Sequence, residues 1–324
     1  MKKILFFLII IQIIYISYLG IKIVNNNKNT LGAVNVNPIK KDSIISSPSS
    51  ELKYFYEHRP SSVEEEEIVG VKGKKAKYTF NSDTLNERFD YQPKKTDSTF
   101  RIITLGDSFT YGIYVNTSDN YPEQLEEKLK SFKCGSYKKF EVINLGVDGY
   151  DVQYSVERYR IRGVKYNPNL IVWFLKDDDI IQIQELTSKS IDEMIKSGTP
   201  AFDEKTREWT AYNSAFQKSL EKYSDDTILK KVEKNLSEIR KYYKNKILFI
   251  TRIYTPEYLA IVEKFVKNDK NSLILKLKNI DDQKLQFIDG HLNEKGNKLV
   301  AQDVFDNLKN SILPCKLTSI LPWK

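Results

Sequence analysis

Histidine is almost missing from this chain. Two occur in 324 residues, His58 and His291, beside two cysteines, Cys134 and Cys315, and two methionines. The two histidines narrow any imidazole base to two positions. No internal repeat is evident, which excludes a repeat array. There is no long basic block with interleaved aromatics, although the net charge is +8 and the pI near 9.0. The lysines are scattered among acids, so a nucleic-acid surface is disfavoured, and attraction to an anionic membrane or cell-wall surface fits as well.

A small-residue A-x-A cleavage site is also missing near the N-terminus. Met1-Lys2-Lys3 leads into ILFFLIIIQIIYISYLGI (residues 4–21), with Gln12 and Ser17 its most polar members. At ~1.5 Å per residue a helix of that run reaches about 27 Å, close to a hydrocarbon core. The leading lysines favour a cytoplasmic N-terminus and place the remainder outside. Residues 1–24 therefore read as an uncleaved, single-pass membrane anchor, with secretion after signal cleavage as the alternative. Outside the cytoplasm Cys134 and Cys315 are able to form one disulfide; two free thiols are the other reading.

What is present is ordinary globular composition, 40% hydrophobic and 29% charged, enough for one large domain with additions. Residues 25–50, rich in Asn, Lys, Ser and Pro, read as a flexible stalk. Residues 51–99 read as an irregular extension packed loosely on the main domain. Within it EEEE (64–67) and VKGKKAK (71–77) reverse sign, which suits a solvated hairpin or local pairing.

From residue 100 to 313 strands alternate with helices. FRIITL (100–105), FEVINL (140–145), NLIVWFL (169–175), KILFIT (246–251) and SLILKL (272–277) are strand candidates. Between them fall helical stripes: Tyr121, Leu125, Leu129 and Phe132; Val152, Val156 and Tyr159; Ile228, Val232, Leu236, Ile239 and Tyr243; and Leu299, Val300, Val304, Leu308 and Ile312. This order predicts a three-layer α/β/α fold around a parallel sheet of about five strands, with ligands at the carboxyl ends of the strands. Residues 181–226 break the pattern. They are polar, with scattered aromatics, and read as an insertion near that end.

TLGDSFTYG (104–112) closes the first strand of the alternation. Ser108 stands where a tight glycine turn meets a helix start, a place that suits a nucleophile. It also suits a helix cap, the commoner use of serine. A serine hydroxyl needs a base, and the choice lies between His58, in the irregular extension, and His291, just before the last helix. Asp289 lies two residues before His291 and can orient its ring. The residues by themselves leave nucleophile and cap both open.

These stretches resemble the four dispersed blocks of the SGNH (GDSL) hydrolase family, in order. GDSFTYG (106–112) is similar to the first, NLGVDGY (144–150) to the second, FLKDDDI (174–180) to the third and IDGHLNEKG (288–296) to the fourth. The resemblance covers about residues 100–312 and implies a flavodoxin-like three-layer fold. It implies Ser108 as nucleophile, His291 as base, Asp289 as its orienting acid and the Gly149 amide as an oxyanion donor, with no metal or organic cofactor. Two departures stand out. The chain has D-x-H where the family commonly has D-x-x-H. Asp178 occupies a slot that the family gives to asparagine, and an ionised carboxylate accepts hydrogen bonds but donates none.

The function expected is an ester-bond hydrolase acting outside the cytoplasm on acylated glycan, with O-acetyl groups favoured and lipid esters next. The alternatives are an O-acyltransferase using the same residues and an inactive glycan-binding or assembly protein.

Overall fold

Residues 51–80 hold regular strands rather than an irregular extension, the hairpin suited by the sign reversal among them, while residues 81–98 form no regular helix or strand. In the computed structural model, which describes residues 44–197, 207–277 and 279–313, this stretch contributes to two antiparallel strand pairs. β1 (Ile44–Ser46) pairs with β2 (Tyr56–His58), and β3 (Ser62–Glu67) with β4 (Lys75–Phe80). The sign reversal explains the second pair, because Glu65 stands opposite Lys77 and Glu67 opposite Lys75. Alternation along β4 turns Ala76, Tyr78 and Phe80 inward, where they pack on Tyr111, Ile113 and Tyr114. Leu52, Phe55 and Tyr56 pack on Val147, Tyr150 and Tyr154. The buried Glu57 carboxylate accepts from Arg162 at 2.6 and 2.8 Å and pairs with Arg158. Burial pushes its pKa up, but the two arginines hold it down to about 2. Buried aromatics and one buried charge network therefore fix the extension to the main domain.

The five apolar runs become one parallel sheet: β5 (Thr99–Leu105), β6 (Lys139–Asn144), β7 (Leu170–Lys176), β8 (Lys246–Arg252) and β9 (Ser272–Lys276), ordered β6-β5-β7-β8-β9. Side-chain alternation divides the core in two. Ile103, Leu105, Trp173 and Phe249 face helices Val152–Arg158, Asp225–Tyr242 and Pro256–Asn268. Ile102, Val172, Phe174 and Leu248 face helices Tyr121–Leu129 and Glu294–Asn307. The three layers expected from the alternation are present. The insertion holds two helices packed on one another, Gln184–Lys196 and Arg207–Lys222.

The chain leaves β5 for a neighbour on one side and returns to pair β7 on the other. The strand order thus reverses between β5 and β7, the place where open sheets of this type form a ligand crevice. The expected anchor, residues 1–24, and most of the stalk lie outside the described residues. Among the described residues no helix is long and apolar enough to cross a membrane. Cys134 is disulfide-bonded; Cys315 lies outside the described residues.

Candidate active site

β5 is followed by Gly106, whose φ of 144° and close neighbours demand glycine. A Cβ there would lie 2.4 Å from Thr110 Oγ1 and 2.9 Å from the Phe174 carbonyl. The next residue caps the helix Ser108–Tyr111: the Asp107 carboxylate accepts from the Phe109 N–H at 3.0 Å. The capping role considered for Ser108 therefore falls to Asp107. The serine hydroxyl instead faces two acceptors, His291 Nε2 at 2.9 Å and Asp107 Oδ2 at 3.1 Å.

His291 comes from the turn before the last helix. The Phe287 N–H donates to the His291 carbonyl at 2.7 Å, and the Gly290 N–H to the Phe287 carbonyl at 3.0 Å. Asp289 grips the histidine twice. One carboxylate oxygen accepts the His291 backbone N–H at 3.1 Å, and the other lies 2.9 Å from ring Nδ1. A carboxylate only accepts, so Nδ1 carries the proton and Nε2 presents its lone pair to Ser108. The Asp289 side chain is buried and the imidazole mostly so, at 1% and 14% exposure. Arg252, at the end of β8, donates to the Gly290 carbonyl at 3.3 Å and braces the turn. Ser108, His291 and Asp289 thus meet as a continuous hydrogen-bonded row.

Gly149 sits in the loop after β6 with φ of 75°. Among the described residues neither its amide nor that of Ser108 donates to a protein acceptor. The loop is held from the extension: the Tyr56 hydroxyl donates to the Asp148 carbonyl at 2.7 Å. Burial pushes the Asp148 carboxyl up to about 7, partly opposed by His291 and Lys176.

Asp178 is partly exposed and stands 3.4 Å from Lys176 Nζ. Lys176 is the residue that sequence reasoning passed over. It ends β7 with its ammonium nearly buried, 2.7 Å from Asp107 Oδ2, the oxygen that Ser108 also reaches. A signal existed: one lysine closes a wholly apolar strand and precedes three aspartates. Burial lowers the Lys176 pKa, but Asp107, Asp179 and Asp178 together hold it well above its ordinary value. Tyr56 and Arg252 carried no sequence signal, because both act through folded contacts.

His58 is elsewhere. Its ring stacks on Phe80 at 4.3 Å and on Tyr111 at 4.9 Å, inside the interface between the extension and the main domain. Among the described residues no cluster of three or more His, Cys, Asp or Glu side chains is placed to hold a metal ion.

No family model matches the chain, and no curated protein does. Solved structures give remote similarities. One is to the psychrotrophic esterase EstA from Pseudoalteromonas sp., at 14% identity over 66% of this chain and 97% of that chain, with a TM-score of 0.44. Another is to the acetyl xylan esterase AlAXEase, at 19% identity over 64% and 100%, with a TM-score of 0.41. A third is to a two-domain esterase active on acetylated mannans, at 14% identity over 65% and 49%, with a TM-score of 0.40.

Proposed function

We propose that the protein is a serine esterase of the SGNH type that releases acyl groups, O-acetyl first among them, from a cell-surface glycan. The observation that carries this reading is the row Ser108 Oγ, His291 Nε2, His291 Nδ1 and Asp289 Oδ2, with 2.9 Å at each step between residues. A serine hydroxyl becomes a nucleophile when a positioned base takes its proton, and a base works when a third group fixes its tautomer.

Ser108 Oγ attacks the acyl carbonyl as His291 Nε2 takes its proton. Asp289 stabilises the imidazolium that results. The amides of Ser108 and Gly149 receive the oxyanion. The imidazolium then protonates the departing alcohol, leaving an acyl-serine. Water, deprotonated by His291, attacks the acyl-serine, and collapse of the second oxyanion frees the acid and restores Ser108. Lipid esters are the next substrate class.

The location proposed is outside the cytoplasm, on an N-terminal anchor. The leading apolar run supports it, and so does the disulfide at Cys134, which an oxidising compartment permits. The test is hydrolysis of a small acetyl ester by the purified protein beside Ser108→Ala. Turnover that disappears with the serine supports the esterase, and turnover that survives it or is absent from both overturns it. Acetyl transfer to an added oligosaccharide in excess of release to water would shift the reading to an acyltransferase.

A further inference from the structure

One carboxylate touches the nucleophile, and two more share a lysine with that carboxylate. Asp107 Oδ2 lies 3.1 Å from Ser108 Oγ, and Asp178 and Asp179 follow directly after β7, the strand that flanks the crevice with β5. Acyl transfer builds negative charge on the substrate oxygen, and an ionised carboxylate nearby opposes that charge while donating nothing. A site with this many acids needs a fixed cation.

We infer that Lys176 is that cation, a positioning residue that offsets Asp107 and Asp178 so that an oxyanion can form beside Ser108. Its Nζ lies 2.7 Å from Asp107 Oδ2, 3.4 Å from Asp178 Oδ2 and 4.0 Å from Asp179 Oδ1. The ammonium cannot drift. Its side chain is 9% exposed, the Phe109 ring lies 5.0 Å away, and its own backbone N–H donates to Asp179 Oδ2 at 2.7 Å. The ammonium and the nucleophile share one oxygen of Asp107, so Lys176 also draws that carboxylate's charge away from the serine hydroxyl. That leaves His291 as the acceptor for the Ser108 proton. Lys176 therefore does by charge what asparagine in place of Asp178 would do by donating a hydrogen bond. The inference rests on the esterase reading.

The experiment is a double-mutant cycle on the full protein: Lys176→Met, Asp178→Asn and both together, with Ser108→Ala as control. Three quantities are read: kcat and KM on a small acetyl ester, the rate of labelling by a fluorophosphonate, and the melting temperature. Lys176→Met is expected to lower kcat and the labelling rate about 10²-fold, comparable to loss of one oxyanion donor, with KM nearly unchanged. In the Asp178→Asn background the same change should cost roughly tenfold or less, because one of the opposing charges is gone. Equal losses in both backgrounds, or no loss in folded protein, would overturn the inference. If Lys176→Met does not fold, Lys176→Gln replaces it in the same cycle. A wild-type protein without Ser108-dependent labelling would overturn the esterase reading itself, whereas labelled wild type with unaltered variants would overturn only the role of Lys176.

Discussion

The hydroxyl of Tyr56 stands 2.9 Å from the point where a Cβ on Gly149 would begin. It also donates to the carbonyl of Asp148, one residue earlier. A residue of the N-terminal extension thus props the loop that carries Gly149.

Tyr56→Phe keeps the ring, which packs edge-on against Tyr150 at 5.3 Å, and deletes only the donor. One hydrogen bond of this kind contributes about 1 kcal/mol, so kcat should fall roughly 5-fold as the loop loosens. KM should stay nearly constant, since the oxyanion forms only after binding. Steady-state kinetics check this, and an unaltered kcat would separate the extension from catalysis.

The two histidines should behave oppositely. His291→Ala removes the base and should cut turnover at least ~10³-fold with little effect on melting. His58→Ala empties a stack between Phe80 and Tyr111 and should cost stability, about 2–4 kcal/mol by analogy with other buried rings. Turnover per folded molecule should persist below the lowered melting point. Activity and thermal denaturation measured on both variants check the pair. Loss of activity in folded His58→Ala with retention in His291→Ala would mean the base is misassigned.

Much of this was legible from sequence, for identifiable reasons. The strands were, because β7 and β8 hold continuous apolar runs, Leu170–Leu175 and Ile247–Ile250, buried on both faces. The proximity of Ser108, His291 and Asp289 was expected from the scarcity of histidine together with the four-block resemblance, which alone singled out Ser108 over a helix cap. Within residues 51–99 the hairpin of β3 and β4 was legible from its sign reversal; the rest was not, because it is fixed by aromatic contacts such as Tyr56 on Tyr150 and by the pairing of Glu57 with Arg158 and Arg162, about a hundred residues away. Lys176 was passed over although it closes an apolar strand, since its contact with Asp107 comes from just past the end of the neighbouring strand β5.

Asp148 offers a pH test. Burial raises its carboxyl to about 7, so between its ordinary value near 4 and that point the folded state holds a proton that the unfolded chain has lost. Stability therefore falls as pH rises through this window, and below it no penalty exists. Asp148→Asn should melt higher than wild type at pH ~8 and show no such gain at pH ~4. Thermal denaturation across that range checks the sign, and a gain confined to acid would reverse it.

The most direct test of the esterase reading is where an organophosphorus acyl mimic lands. The protein is treated with a fluorophosphonate, digested and mapped by mass spectrometry. One adduct per chain is expected on Ser108, absent from Ser108→Ala and strongly slowed in His291→Ala. No adduct on the wild type, or an adduct on another residue that persists in Ser108→Ala, would contradict it.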